Sequence, residues 1–215
     1  MLLRLGLRFV AGALLCGLAS SHAQDFDKVV QAKIKRLVDK NGKGTDQELK
    51  QHLIRMAKQD QTARTFDWSR APTETTLKKM QLTDERLTAE LKQIIHEKGW
   101  PTISLVGLRA SQDAAVILIH SPDHDFQRQL ISELQQLVEN GKIVGSDIAI
   151  IVDKVLVSEG QPQRFGTQFN ISNGHARMNP VEDPFHLDQR RAQYLLGPMT
   201  EYKKSLAKMY HVKIE

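Results

Sequence analysis

The sequence predicts a mainly α fold, a multi-helix domain with one small antiparallel β-hairpin, and three observations predict it. Apolar residues recur at helical spacing through most of the chain, Gly/Pro/Asn punctuation closes each periodic stretch, and a single Asn-Gly pair stands between two alternating runs. Residues 25–40 place Phe26, Val29, Val30, Ile34, Leu37 and Val38 on one helical face, and Asn41-Gly42-Lys43-Gly44 ends it. Thr45 and Glu48 form a capping-box pattern before a second helix with Leu49, Leu53, Met56 and Ala57 on its apolar stripe. Residues 65–82 are polar, contain Pro72 and read as a loop. A third helix is expected from about Thr83, burying Leu87, Leu91, Ile94 and Ile95 and stopping at Gly99-Trp100-Pro101.

Ser111 is the expected cap of a short helix through Ile119, apolar on nearly all sides, and His120 ends it. An amphipathic helix follows over 124–140, with Asp123 or Asp125 as its N-cap. Ile148–Val157 is rich in β-branched residues yet is read as a buried helix capped by Ser146, with Asp153 interrupting the apolar run. Phe165, Thr167, Phe169 and Ile171 alternate before Asn173-Gly174, and Ala176 and Met178 continue in register. A hairpin is therefore expected over 164–179, with Gly166 marking a bulge or a close approach. The tail from Asp188 to Tyr210 reads as helix broken at Gly197-Pro198.

The first 23 residues carry the secretory pattern: Arg4 and Arg8, an apolar stretch from Phe9 to Ala19, and small residues at Ser21 and Ala23. Cleavage after Ala23 is expected, leaving a helical extension over 24–44 and a single α-rich domain over 45–215, in the periplasm or outside the cell. The one cysteine, Cys16, leaves with the leader, so the mature chain has no disulfide and no thiol nucleophile. The 30 Lys+Arg against 25 Asp+Glu give +5. No dense basic run is present, so a nucleic-acid partner is not expected, and no second apolar run reads as a membrane span.

His120 is the acid–base candidate, because imidazole titrates near neutral pH. Asp153, set among Ile150, Ile151, Val152 and Val155, needs a partner: it orients His120, pairs with Arg64, Arg164 or Arg191, or faces solvent. Asp60 and Arg64 are spaced for an i,i+4 pair on an apolar stripe. Gln163, Arg164 and Gln168 offer amides and a guanidinium for hydrogen bonds to a ligand, or form a solvated hairpin face. His120, Asp123, His124 and Asp125 are metal-ligand types, but Pro122 breaks the spacing and no metal or other cofactor is expected. Nucleophile elbows and phosphate loops are missing from the sequence.

These landmarks, in order, are Asp60-Gln61 with Arg64, Gly99-Trp100-Pro101 with Gly107, Ala110-Ser111 with Ala114 and His120, Asp153-Lys154-Val155, and Gly160-Gln161 leading to Gln163-Arg164-Phe165-Gly166-Thr167-Gln168. On them the chain resembles bacterial proteins carrying domain of unknown function 6624, from about Glu48 to Tyr210. Family members often have Gln-His-Ala where this chain has Ile119-His120-Ser121, and Asp-Arg at Asp153-Lys154. The family has no established activity, so the resemblance implies only that Asp60, Arg64, His120, Asp153, Gln163 and Gln168 belong together, as a polar pocket would require. Three classes of function remain open. One is a binding module for a small polar ligand or a peptide or glycan end. The second is a periplasmic hydrolase with His120 as general base, and the third is a structural or interaction protein of the cell envelope.

Overall fold

The structure, a computed structural model, describes residues 21–65 and 72–215. The leader reading of residues 1–23 falls almost wholly outside the described residues. The fold is mainly α with a small sheet. Its elements in order are α1 (Ser21–Asn41), α2 (Gln47–Ala63), α3 (Glu74–Lys98), α4 (Ile103–His120), α5 (His124–Glu139), α6 (Gly145–Ser158), β1 (Phe169–Ser172), β2 (His175–Met178), α7 (Leu187–Gln193), α8 (Met199–Tyr210) and β3 (Lys213–Ile214). The chain divides into two compact units: Lys35–Ile143, and the described residues up to Ile34 together with Val144–Glu215.

In the Lys35–Ile143 unit, α2, α3 and α4 pack on one another. Leu49, Leu53, Met56 and Ala57 of α2, Leu87 and Leu91 of α3, and Ala110, Ala114 and Leu118 of α4 are buried, each set at the three-to-four spacing of one helical face. The cap of α2 is Asp46, which accepts from Leu49 N at 2.9 Å, in place of the expected Thr45–Glu48 box. Helix α3 begins at Glu74, nine residues earlier than its apolar pattern announces, with Thr73 as N-cap accepting from Thr76 N. Its first turns bury no side chain, so they carry no periodic signal and read as loop.

Helix α4 also starts earlier than expected. It contains a break at Gly107 (φ 79°, ψ 166°), and Ser111 is a buried interior residue rather than a cap. The break lets Gly44 and Gly107 meet backbone to backbone: a Cβ on Gly44 would lie 2.5 Å from Gly107 N, and one on Gly107 would lie 2.7 Å from Lys43 O. By length and mean hydropathy (1.2 over 18 residues) α4 passes as a membrane-crossing helix, against the sequence reading. Two thirds of it (67%) is buried inside the protein, as a core helix would be. Asp123 caps α5 by accepting from Phe126 N.

In the second unit, α6 is a helix as expected and starts at Gly145; its cap position is Val144, with no side-chain bond. The ladder pairs Phe169 with Met178 and Ile171 with Ala176, the register the alternation implies. Asn173 and Gly174 both take positive φ (49° and 75°), as a two-residue turn of this kind needs. The hairpin is shorter than expected: residues 164–168 leave the ladder and curl. Gly166 (φ 68°) makes the close approach, since a Cβ there would meet Met199 Cε at 2.3 Å. Strand β3 joins β2 in parallel, His175 opposite Lys213 and Ala176 opposite Ile214. Two residues are too few to give an alternation signal.

Candidate functional site

Asp60 continues the buried stripe of α2, and the same 3.6-residue period that buries Met56 and Ala63 carries its carboxylate inside. His120 is the last residue of α4 and is also buried. The two meet: His120 Nδ1 lies 2.7 Å from Asp60 Oδ1, with side chains 4% and 1% exposed. Arg64, just past the end of α2, donates from Nη1 to Asp60 Oδ1 at 2.8 Å and to Asp60 O at 3.2 Å. Its other nitrogen, Nη2, reaches both oxygens of Asp84 on α3, at 2.8 and 2.9 Å. Gln61 Nε2 donates to Asp60 Oδ2 at 2.7 Å. The result is one continuous chain of bonds, Asp84–Arg64–Asp60–His120, drawn from three helices of one unit.

A carboxylate can only accept, so Asp60 holds the proton of the neutral imidazole on Nδ1 and leaves the lone pair on Nε2. Among the described residues none hydrogen-bonds to Nε2. Burial pushes the Asp84 carboxyl above its ordinary value, and the Arg64 charge and hydrogen bonds oppose that.

The other cluster lies in the second unit. Asp153 on α6 is fully buried and accepts Arg164 N (2.7 Å), Phe165 N (3.0 and 3.2 Å), Thr167 N (2.9 Å) and the Thr167 hydroxyl (2.9 Å). Burial raises its carboxyl, and these bonds, Thr167 N foremost, pull the other way. Its partners are thus main-chain amides and one hydroxyl. No guanidinium and no imidazole is among them, Arg164 contributing only its main-chain amide, and the carboxylate that meets His120 is that of Asp60. Gln163 Nε2 donates to Gln168 O (3.1 Å) and Asn179 O (2.8 Å), and its Oε1 accepts Gln168 N (2.8 Å). The Asp153 carboxylate and the two N–H groups of Gln163 Nε2 are thus taken up within the fold, and Gln163 Oε1 keeps one lone pair.

Arg191 is buried beneath the same ribbon, donating to Phe165 O (2.6 Å) and Gly197 O (2.7 Å), with its guanidinium 4.9 Å from the Tyr202 ring centre. Burial lowers its pKa and raises that of Tyr202, whose hydroxyl donates to Thr167 O. Arg164 is half-exposed and pairs with Glu182, and Gln168 Nε2 donates to Thr167 Oγ1.

The six residues that the resemblance groups fall into two sets, Asp60, Arg64 and His120 in one unit and Asp153, Gln163 and Gln168 in the other. Sequence reading missed Asp84 and the roles of Thr167 and Arg191. An aspartate just before the buried face of α3 was the one available hint of Asp84.

A mainly α protein with a buried histidine–carboxylate pair and an aspartate-anchored Gly-Thr-Gln ribbon is the class these features define. The chain belongs to a family of unknown function, DUF6624, whose model matches residues 47–215. No curated protein and no solved structure matches the chain.

Proposed function

We propose that this protein is an exported hydrolase, periplasmic or secreted, in which His120 is the general base and Asp60 orients it. The observation that carries the reading is the buried 2.7 Å contact between Asp60 Oδ1 and His120 Nδ1, with no hydrogen bond to Nε2 among the described residues. In the reaction Nε2 takes a proton from water as the oxygen attacks a polar bond of the substrate. The imidazolium that forms is stabilised by Asp60 and returns its proton to the leaving group. Water is the nucleophile in this reading, since the one cysteine, Cys16, lies in the leader pattern and the sequence has no Gly-x-Ser-x-Gly elbow. The leader pattern of residues 1–23 supports the compartment.

The experiment is turnover by the purified mature chain on a panel of chromogenic esters, amides and glycosides. For any substrate the wild type cleaves, His120→Ala is expected to remove turnover. Asp60→Asn, which reverses the tautomer preference, should lower kcat by roughly 100- to 10,000-fold. Full activity in His120→Ala, or an imidazole that carries its neutral proton on Nε2, overturns the reading.

A further inference from the structure

We infer that Asp84 is a positioning residue for His120, acting through Arg64 at a distance of two bonded contacts. The inference rests on the general-base reading for its functional meaning, but its structural content stands apart from it. Arg64 is the only residue described that bonds both carboxylates. One arm of its guanidinium holds Asp60 Oδ1, and the other is gripped by both oxygens of Asp84. The group is planar and rigid, so fixing Nη2 fixes the direction of Nη1. That direction matters because Arg64 Nη1 and His120 Nδ1 converge on the same oxygen of Asp60, at 2.8 and 2.7 Å.

Asp60 by itself has two side-chain torsions, and rotation about either swings this oxygen away from His120. Gln61 restrains its other oxygen, but Gln61 is an exposed, flexible side chain. Arg64 is the C-cap of α2, its backbone outside the helical region (φ −97°, ψ 2°), so helical geometry alone does not set the direction of its side chain. The outside support comes from α3. Side-chain exposure falls along the chain of bonds, 14% at Asp84, 13% at Arg64 and 1% at Asp60. The partly exposed acid is thus the anchor, and the buried pair is what it steadies. The groups facing Asp84 within this set are Arg64 and Asp60 from α2 and His120 from α4.

The test is nitrogen NMR of the full mature chain labelled in histidine, with the His120 signals assigned by their loss in His120→Gln. In the wild type the neutral ring is expected to show one sharp, strongly shifted Nδ1–H, slow to exchange with solvent. In Asp84→Asn, which keeps the shape and removes the bidentate charge, that signal is expected to broaden and exchange at least ~10-fold faster, the factor that one lost increment of about 1.4 kcal/mol gives. It should do so at temperatures where circular dichroism shows both chains fully folded. Arg64→Lys should behave the same way, since an ammonium on a flexible stem lacks the planar fork that ties the direction of one contact to the other, and Asp84→Glu should restore the signal in part.

An unchanged Nδ1–H in Asp84→Asn overturns the inference. So does a change that only tracks global unfolding, which marks Asp84 as structural. A wild-type proton on Nε2 instead overturns the general-base reading, so the two failures are told apart.

Discussion

Asp113 shows at the scale of one side chain how this fold treats buried charge. Its Oδ1 accepts from Arg109 Nε at 2.8 Å, but Arg109 is 75% exposed, and the buried Oδ2 has no hydrogen-bond partner. Burial raises the Asp113 carboxyl above its ordinary value, ahead of the opposing pull of Arg109. An acid whose folded pKa lies above its unfolded one costs stability wherever it is ionised in the fold. That cost fades as pH falls through the folded pKa. Asp113→Asn strands no buried cation, so it is expected to raise the melting temperature at neutral pH. The gain over wild type should shrink as the buffer is acidified toward the ordinary carboxyl range; thermal melts across a pH series check both parts.

The same scale explains which site residues the sequence exposes to a reader. Asp60 and Arg64 are legible because four-residue spacing on an apolar stripe forces them inward together. His120 is legible as the polar end of an apolar run. Asp84 is not, because its partner lies 20 residues away and an aspartate in the first turn of the helix expected from Thr83 carries no mark of an inward partner. The partners of Asp153 are illegible for a different reason: main-chain amides of 164–167 have no residue-type signature.

At the scale of elements, the crossing of Gly44 over Gly107 decides how α2 and α4 enter the same unit. Thr45 N and Asp46 N both donate to Leu105 O, and Ile103 N donates to Lys142 O, so the first turn of α4 is tied on two sides by backbone. Any side chain at Gly44 meets main-chain atoms that cannot swing away, and its φ of +94° adds strain. Gly44→Ala is therefore expected to destabilise the chain by about 3 kcal/mol or more, read as a shift in the urea midpoint. Gly42→Ala, with open space around it but the same sign of φ, should cost about 1 kcal/mol. Helices with a one-sided apolar stripe, the α5 cap, the C-terminal break and the Asn173-Gly174 register are all readable from periodicity and turn chemistry. The start of α3 is not, because an exposed helical turn resembles a loop in composition. The curl at 164–168 is not either, because alternation continues through it while Asp153 takes its amides.

At the scale of the molecule, the two ends of the described chain contribute to one unit and the stretch between them forms the other. The family match begins at Gln47, so α1 lies outside it. The sheet closes with the last residues of the chain. Lys213 N donates to Gly174 O and Glu215 N to Ala176 O, while Glu215 pairs with His175 and Arg177. Removing Lys213–Glu215 is expected to lower stability by about 2 kcal/mol, the sum of two backbone bonds. It should also produce concentration-dependent self-association in gel filtration.

The second effect follows from what β3 covers. Without it, β2 presents bare carbonyls along a flank ready to recruit a strand from another copy. Two residues with charged neighbours are too short to offer such a template themselves. Lys213–Glu215 therefore shields this flank of β2: the bonds from Lys213 N and Glu215 N occupy the carbonyls that a strand of a second molecule would otherwise take.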